Sequence, residues 1–253
     1  MTITIAVAGK GGTGKTTFAA LTIKYLLAQG RTPVLAIDGD PSSNLNLALG
    51  LPLEATIGRI REDARDQVAT GRFPAGVSKP EHFAREVEAC LVESDGVDLL
   101  AMGRPEGPTC YCAANNMLRA AIDRIGNGYP YVVIDNEAGM EHISRQTTRN
   151  VDHLFIVTDP TQRGLGAARH IVELIQELGT RIVHSYLVVN RVQAELPASL
   201  VEAITALGVS LAGAVPADPE VAAFDLIGRP LIELGEESAV YRAVASILRQ
   251  TIG

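Results

Sequence analysis

The residues with the clearest chemical potential form a glycine-rich segment near the start of the chain. Residues 9–17 read Gly-Lys-Gly-Gly-Thr-Gly-Lys-Thr-Thr, between an apolar run at 3–8 and a helix-like stretch at 18–29. A strand, a glycine loop and a helix in this order are the context of a phosphate-binding loop. Backbone N–H groups and a helix N-terminus would hold the phosphates, Lys15 would supply a cation, and Thr16 would place its hydroxyl on Mg²⁺. The predicted phosphate and nucleotide contacts of the loop are Gly9, Gly11, Gly12, Thr13, Gly14, Lys15, Thr16 and Thr17.

Two further strand-like runs end in acidic residues. Asp38 and Asp40 lie in an Asp-Gly-Asp-Pro segment after one run, and Asp135 follows four apolar residues in the other. Carboxylates at the carboxyl ends of strands beside a phosphate loop suit Mg²⁺ and its water shell, so we predict that Asp38 and Asp135 support Mg²⁺ directly or through water. Aspartates before Pro and Ser are also common in turns and helix caps, and this alternative stays open for Asp38 and Asp40.

A closely spaced pair of cysteines, Cys110 and Cys112, is the third feature with chemical potential. Thiols in this spacing rarely form an unstrained disulfide, because side chains alternate in extended backbone. Two thiolates alone would leave a borderline-soft metal half coordinated, and a structural or redox role for the pair is the alternative. Cys90, in an apolar helical stretch, is predicted to be a core residue.

Composition limits the functions to consider. The chain has 253 residues, 47% of them hydrophobic, and we expect a single domain over residues 1–253. A net charge of -7 disfavours nucleic acid or anionic lipid as a partner. No apolar stretch approaches the roughly 20 residues of a membrane span, and three cysteines suit a reducing compartment, so we expect a cytoplasmic protein.

Elements that could position these residues alternate along the chain. Runs rich in Val and Ile predict strands, and periodicity between them predicts helices. In these runs apolar and polar residues largely do not alternate, which is typical of strands in a parallel sheet covered on both faces. We therefore predict an α/β fold, a doubly wound, mainly parallel sheet of about seven strands with ligands at the strand carboxyl ends. The predicted strands are 3–8, 33–38, 97–102, 131–135, 153–157, 182–189 and 209–215, and the helices are 15–29, 80–93, 113–125, 164–178, 197–207 and 239–250.

An additional lysine in the glycine loop, Lys10, makes the sequence resemble the deviant P-loop ATPases, the family of MinD, ParA and nitrogenase iron protein. The resemblance implies ATP or ADP as the nucleotide, a dimer in which Lys10 reaches the partner's nucleotide, and Asp40 as the residue that orients the attacking water. The catalytic residues are then Lys10, Lys15 and Asp40, although a solvated loop lysine is the alternative for Lys10.

The same resemblance places adenine near the ends of two late strands. Asn190 and Arg191 are similar to the family's base-reading Asn and its basic neighbour, and Pro216 with Asp218 resembles the other adenine-side loop. An amide can donate to and accept from a purine edge. An Asn that ends a strand is also often only a turn former.

With the cysteine pair included, the chain resembles the CooC-type nickel-insertion ATPases, which mature carbon monoxide dehydrogenase. If ATP joins two protomers face to face, two pairs meet and present four thiolates, from Cys110 and Cys112 of each chain, to Ni²⁺ or Zn²⁺. The implied partners are a second copy of the chain and apo carbon monoxide dehydrogenase, with acetyl-CoA synthase as an alternative client.

Two other functions remain alternatives. One is a reductase similar to nitrogenase iron protein, with a cluster at the dimer interface, but the segment 135–139 that resembles the family's second switch has no cysteine. The other is a positioning ATPase of the MinD or ParA type, with incidental cysteines. The role of Glu137 in that segment is left open.

Overall fold

Over the residues that the structure describes, one parallel sheet of seven strands organises the protein. The computed structural model describes residues 2–60, 63, 76–103, 120–136, 150–178 and 181–253. The strands are β1 (Ile3–Gly9), β2 (Val34–Asp38), β3 (Val97–Ala101), β4 (Tyr131–Asp135), β5 (Asn150–Thr158), β6 (Arg181–Val192) and β7 (Ser210–Pro216). Their order is β3-β2-β4-β1-β5-β6-β7, and each neighbouring pair is parallel.

Helices cover both faces of this sheet. They are α1 (Lys15–Ala28), α2 (Leu45–Leu49), α3 (Lys79–Ala89), α4 (Gln162–Leu178), α5 (Ala198–Thr205), α6 (Pro219–Ile227) and α7 (Ala239–Thr251), with a 3-10 helix at Leu231–Glu233. Residues 57–60 and 120–126 are also helical. Buried residues of α1, α2, α6 and α7 pack on one face, and those of α3, α4 and α5 pack on the other.

The central strand β1 shows why the strands are apolar at consecutive positions and not only at every second one. In β1, Ile5 and Val7 belong to the core on the α1 side, while Ala6 and Ala8 belong to the core on the opposite side. All four are 0% exposed, so both faces of the strand need apolar side chains.

The predicted fold class is confirmed, and all seven predicted strands are present with ends that differ by up to three residues. The helix predicted at 80–93 ends earlier, at Ala89, because Val92 turns back and pairs with Leu99 in an antiparallel bridge. Of the helix predicted at 113–125, the described part, from residue 120, is helical. Helix α2, helix α6 and the 3-10 helix were not predicted from the sequence.

Over the residues that the structure describes, we find no helix both long and apolar enough to cross a membrane.

Candidate functional site

The chemistry-bearing residues converge at the carboxyl edge of the sheet. Because the described strands are parallel, their carboxyl ends lie together. Strand β1 lies between β4 and β5, and it pairs Val7 with Asp135 of β4 and Gly9 with Val157 of β5. A Cβ on Gly9 would overlap the carbonyl oxygen of Val157. The glycine therefore allows the loop to leave the sheet in direct contact with β5.

The loop between β1 and α1 is folded around one carbonyl oxygen. The carbonyl of Lys10 accepts hydrogen bonds from the Thr13 hydroxyl at 2.8 Å, from the Thr13 N–H at 3.4 Å and from the Lys15 ammonium at 3.4 Å. Lys15 is 8% exposed, whereas the Lys10 side chain is exposed. One lysine thus points into the loop, and the other is free to reach beyond the protein's own surface.

A buried carboxylate lies beside the first turn of α1. The Thr16 hydroxyl donates to Asp135 Oδ2 at 2.6 Å, while Asp135 Oδ1 is buried and has no hydrogen-bond partner within the described residues. Burial raises the pKa of Asp135, and the nearby Asp38 carboxylate acts in the same direction, while Thr16 and Lys15 oppose the rise. The resulting pKa is about 7. The site therefore favours a cation that would neutralise this carboxylate.

The carboxylate of Asp38 lies on the neighbouring strand, since Asp38 and Asp135 are partners in the β2–β4 register. Asp38 Oδ1 accepts the Asp40 N–H at 3.0 Å, and Oδ2 accepts the Leu45 N–H at 2.9 Å. Burial raises its pKa to about 6, although these backbone donors oppose the rise. Asp38 thus also has a capping role at α2, the alternative that the sequence left open.

Asp40 is half-buried at the same edge. Its Oδ1 accepts the Ser42 N–H at 2.8 Å, so the side chains of Asp38 and Asp40 both hold the loop from β2 to α2. The turn role that the sequence allowed for Asp40 is therefore present, while its predicted action on water stays a prediction.

These residues fit Mg²⁺ in donor type and arrangement. Magnesium sites in phosphate-binding proteins use one or two carboxylates, a hydroxyl, waters and the phosphates themselves. Thr16, Asp135 and Asp38 supply that set, and the buried free oxygen of Asp135 is a position that a hydrated cation would satisfy. In the part of the chain that is described, no three His, Cys, Asp or Glu side chains form a metal-holding group by themselves.

The predicted adenine-side residues lie on the other flank of the loop, at the ends of β6 and β7. Val192 pairs with Pro216, so the two segments are neighbours. Asn190 Nδ2 donates to the Thr13 carbonyl at 2.7 Å, which places its amide on the phosphate loop. Asp218 caps α6 by accepting the Glu220 N–H at 2.9 Å, and Arg191 is exposed.

Sequence reasoning missed two groups at this edge. Asn136, which directly follows β4, is 0% exposed and donates from Nδ2 to the Val7 carbonyl at 2.8 Å. At the end of β5, Asp159 Oδ1 accepts the Thr161 N–H at 3.0 Å, which shapes the turn into α4. Each follows a predicted strand, and that position was the available signal.

Several predicted residues lie outside the described part of the chain. They are Cys110 and Cys112 of the metal site, and Glu137 and Gly139 of the second switch. The strand that precedes the cysteine pair in sequence is β3, which ends at the same edge of the sheet as β2. At that edge the Met102 N–H donates to the Asp38 carbonyl at 2.8 Å.

Comparisons with known proteins agree with this geometry. Residues 4–231 match the CobQ/CobB/MinD/ParA nucleotide binding domain. The chain is 44% identical to an uncharacterized ATP-binding protein of Methanocaldococcus jannaschii, over 98% of both chains. It is 31% identical to the carbon monoxide dehydrogenase accessory protein CooC of Rhodospirillum rubrum, over 91% of this chain and 89% of that protein. The fold is similar to that of the MinD cell division protein of Aquifex aeolicus, with a TM-score of 0.70 at 24% identity over 100% of this chain and 97% of that one.

Proposed function

Since the chain belongs to the CobQ/CobB/MinD/ParA family of nucleotide-binding domains, we propose that it is an ATP-hydrolysing metallochaperone. In this proposal the protein dimerises when it binds ATP and holds Ni²⁺ or Zn²⁺ between the cysteine pairs of two protomers. Hydrolysis of ATP then releases the metal, and the client is apo carbon monoxide dehydrogenase.

The nucleotide half of the proposal is carried by the contact between half-buried Thr16 and buried Asp135 beside the loop. A hydroxyl at hydrogen-bond distance from a carboxylate with one free oxygen is a site for Mg²⁺ bound to nucleotide phosphates. Lys15, buried against the loop, would balance the charge of those phosphates. Magnesium, when bound, would neutralise charge on the transferred phosphoryl group.

Hydrolysis also needs an oriented water and a further positive charge. Asp40 is half-buried at the edge where the last phosphate would lie, and we assign it the orientation of water. Lys10 is exposed, as a lysine that acts on a partner's nucleotide must be. Removing such a charge in an arginine-finger enzyme lowers turnover by about 10³-fold or more, so Lys10→Ala is expected to abolish most ATPase activity and to leave binding intact.

The metal half rests on Cys110 and Cys112 and on the likeness to the CooC accessory protein. Two thiolates from each of two chains complete a four-sulfur site for Zn²⁺ or Ni²⁺. Cys90 does not compete for this role, because it is 5% exposed and burial raises the pKa of its thiol to about 11.

One experiment tests the proposal: size and metal content are measured together, by light scattering and elemental analysis, with and without ATP. We expect a dimer with about one Ni²⁺ or Zn²⁺ per two chains in the presence of ATP. Cys110→Ser and Cys112→Ser should each lose the metal, whereas Cys90→Ala should keep it.

Stoichiometric metal binding that survives both serine changes would refute the metallochaperone function. Iron with acid-labile sulfide would indicate a reductase instead. ATP-dependent binding to liposomes, or DNA binding that salt weakens, would indicate a positioning ATPase.

A further inference from the structure

The amide of Asn190 connects two parts of the chain that are far apart in sequence. Its Nδ2 donates to the carbonyl oxygen of Thr13 at 2.7 Å, and Thr13 is 1% exposed in the centre of the glycine loop. The Asn190 Oδ1 accepts the N–H of Arg191 at 2.9 Å, which holds the amide in one orientation. The end of β6 is thus fixed to the loop that follows β1.

The backbone of β6 is bent at the position that makes this contact. Between the pairs Val189–Ala214 and Val192–Pro216, β6 has one residue more than β7, so the ladder is interrupted. Arg191 has a φ of 59°, a left-handed conformation that is uncommon for a residue with a side chain. Bulges of this kind re-aim side chains beside functional sites, and here the side chain is that of Asn190.

The loop in turn leaves room for the amide. Gly14 has a φ of 90°, and a Cβ at this position would overlap Asn190 Nδ2. The peptide between Thr13 and Gly14 is planar and trans, so its C=O and N–H point in opposite directions. With the carbonyl held by Asn190, the Gly14 N–H is directed away from β6.

We propose that Asn190 is a positioning residue that orients the Thr13–Gly14 peptide and so pre-forms the phosphate-binding loop, whichever base the nucleotide carries. The inference rests on the nucleotide-binding part of the proposed function. It differs from the base-reading role that the sequence predicts for Asn190, because it places the contribution of this amide on the phosphates.

The two roles differ in how Asn190→Ala affects different ligands. Affinities of wild type and variant are measured by titration calorimetry with Mg²⁺ and ATP, inosine triphosphate or inorganic tripolyphosphate. Inosine triphosphate has an oxygen in place of the adenine amino group, and tripolyphosphate has no base. A positioning role predicts that all three affinities fall by about fivefold, the effect of losing one neutral hydrogen bond, and that their ratios stay unchanged.

A loss confined to ATP, with the other two affinities unchanged, would overturn the inference and assign Asn190 to the base. Equal affinities of wild type and variant for every ligand would overturn it as well. If the wild type binds no nucleotide, the nucleotide-binding function itself fails, and the inference is then decided by amide hydrogen exchange of the free protein. Exchange at residues 11–14 should be faster in Asn190→Ala than in wild type, and equal exchange would refute the positioning role.

Two further variants guard against a simple folding defect. Asn190→Asp keeps the shape of the side chain but replaces the donor by a negatively charged oxygen, and should lower all three affinities at least as much as Asn190→Ala. Thr251→Ala removes a comparable hydrogen bond, to the Ile247 carbonyl at 2.8 Å on α7, and should change neither the affinities nor the exchange of the loop.

Discussion

Replacing Asp135 by asparagine should make the nucleotide-free protein more stable at neutral pH while it removes the Mg²⁺-dependent affinity for ATP. The Asp135 side chain is 1% exposed, and burial raises its pKa from 3.8 to about 7. Asparagine has nearly the same shape and can still accept the Thr16 hydroxyl. It carries no charge, so the cost of ionising a buried carboxyl group disappears.

The sign and size of the effect follow from proton binding. Because the pKa of Asp135 is higher in the folded than in the unfolded protein, proton binding at Asp135 stabilises the fold. This contribution is complete below pH 3.8 and is lost as the pH rises through about 7. The whole rise corresponds to about 4 kcal/mol, of which about 3 kcal/mol is lost between roughly pH 5 and pH 8. Across this interval, the unfolding free energy of Asp135→Asn should therefore rise by about 3 kcal/mol relative to that of wild type.

Urea denaturation at several pH values, with a chelator present, measures this difference. Asp38, whose pKa is also raised, is present in both proteins, so its contribution largely cancels. Asp225→Asn, an exposed change of the same chemistry on α6, is the control and should follow the wild-type curve. Parallel pH curves for wild type and Asp135→Asn, or unchanged Mg²⁺-ATP binding by calorimetry, would refute the reasoning.

Three further changes test the packing that supports the site. Gly9→Ala places a Cβ against the Val157 carbonyl and should cost about 1–3 kcal/mol and weaken ATP binding, as measured by thermal unfolding and calorimetry; an unchanged melting temperature would contradict it. Phe155→Ala empties a position that is 0% exposed and should cost about 3–5 kcal/mol in urea denaturation, whereas a loss below about 1 kcal/mol would mean that the core collapses onto the space. Gly213→Ala brings a Cβ to 2.8 Å from Ile247 Cγ1 and should cost about 1–3 kcal/mol with ATP affinity preserved, so a loss of affinity would show that α7 and the site are coupled.

The sheet was predictable because its strands are buried on both faces. A run of β-branched residues such as Val132 to Ile134 is typical of a parallel strand covered on both faces, and the structure places it there. Helix α2 was not predictable by periodicity, since its five residues make little more than one turn. Helix α6 had a signal in Asp218 and Pro219, but Asp218 was interpreted as an adenine-side residue.

The candidate site was predictable in its parts and less so in its connections. Thr16 and Asp135 were assigned to the same metal from their motifs. The structure places them in contact at 2.6 Å, and their binding of Mg²⁺ stays a prediction. The contact between Asn190 and Thr13 could not be derived, because it depends on strand order and on a bulge in β6 that has no marker in the sequence. Neighbours across a sheet are set by topology, which local motifs do not encode.

The proposed coupling between ATP and the metal has a physical route that begins at Asp38. The side chain of Asp38 holds the backbone of Asp40 and Leu45, while its carbonyl accepts the Met102 N–H at 2.8 Å. The Met102 carbonyl in turn accepts the Gly58 N–H at 2.7 Å. A displacement of the β2 end by the nucleotide would therefore act directly on the end of β3, the strand that precedes the cysteine pair in sequence. The ends of β2 and β3 lie at one edge of the sheet and share a hydrogen bond, so this step of the proposed coupling needs no long-range pathway.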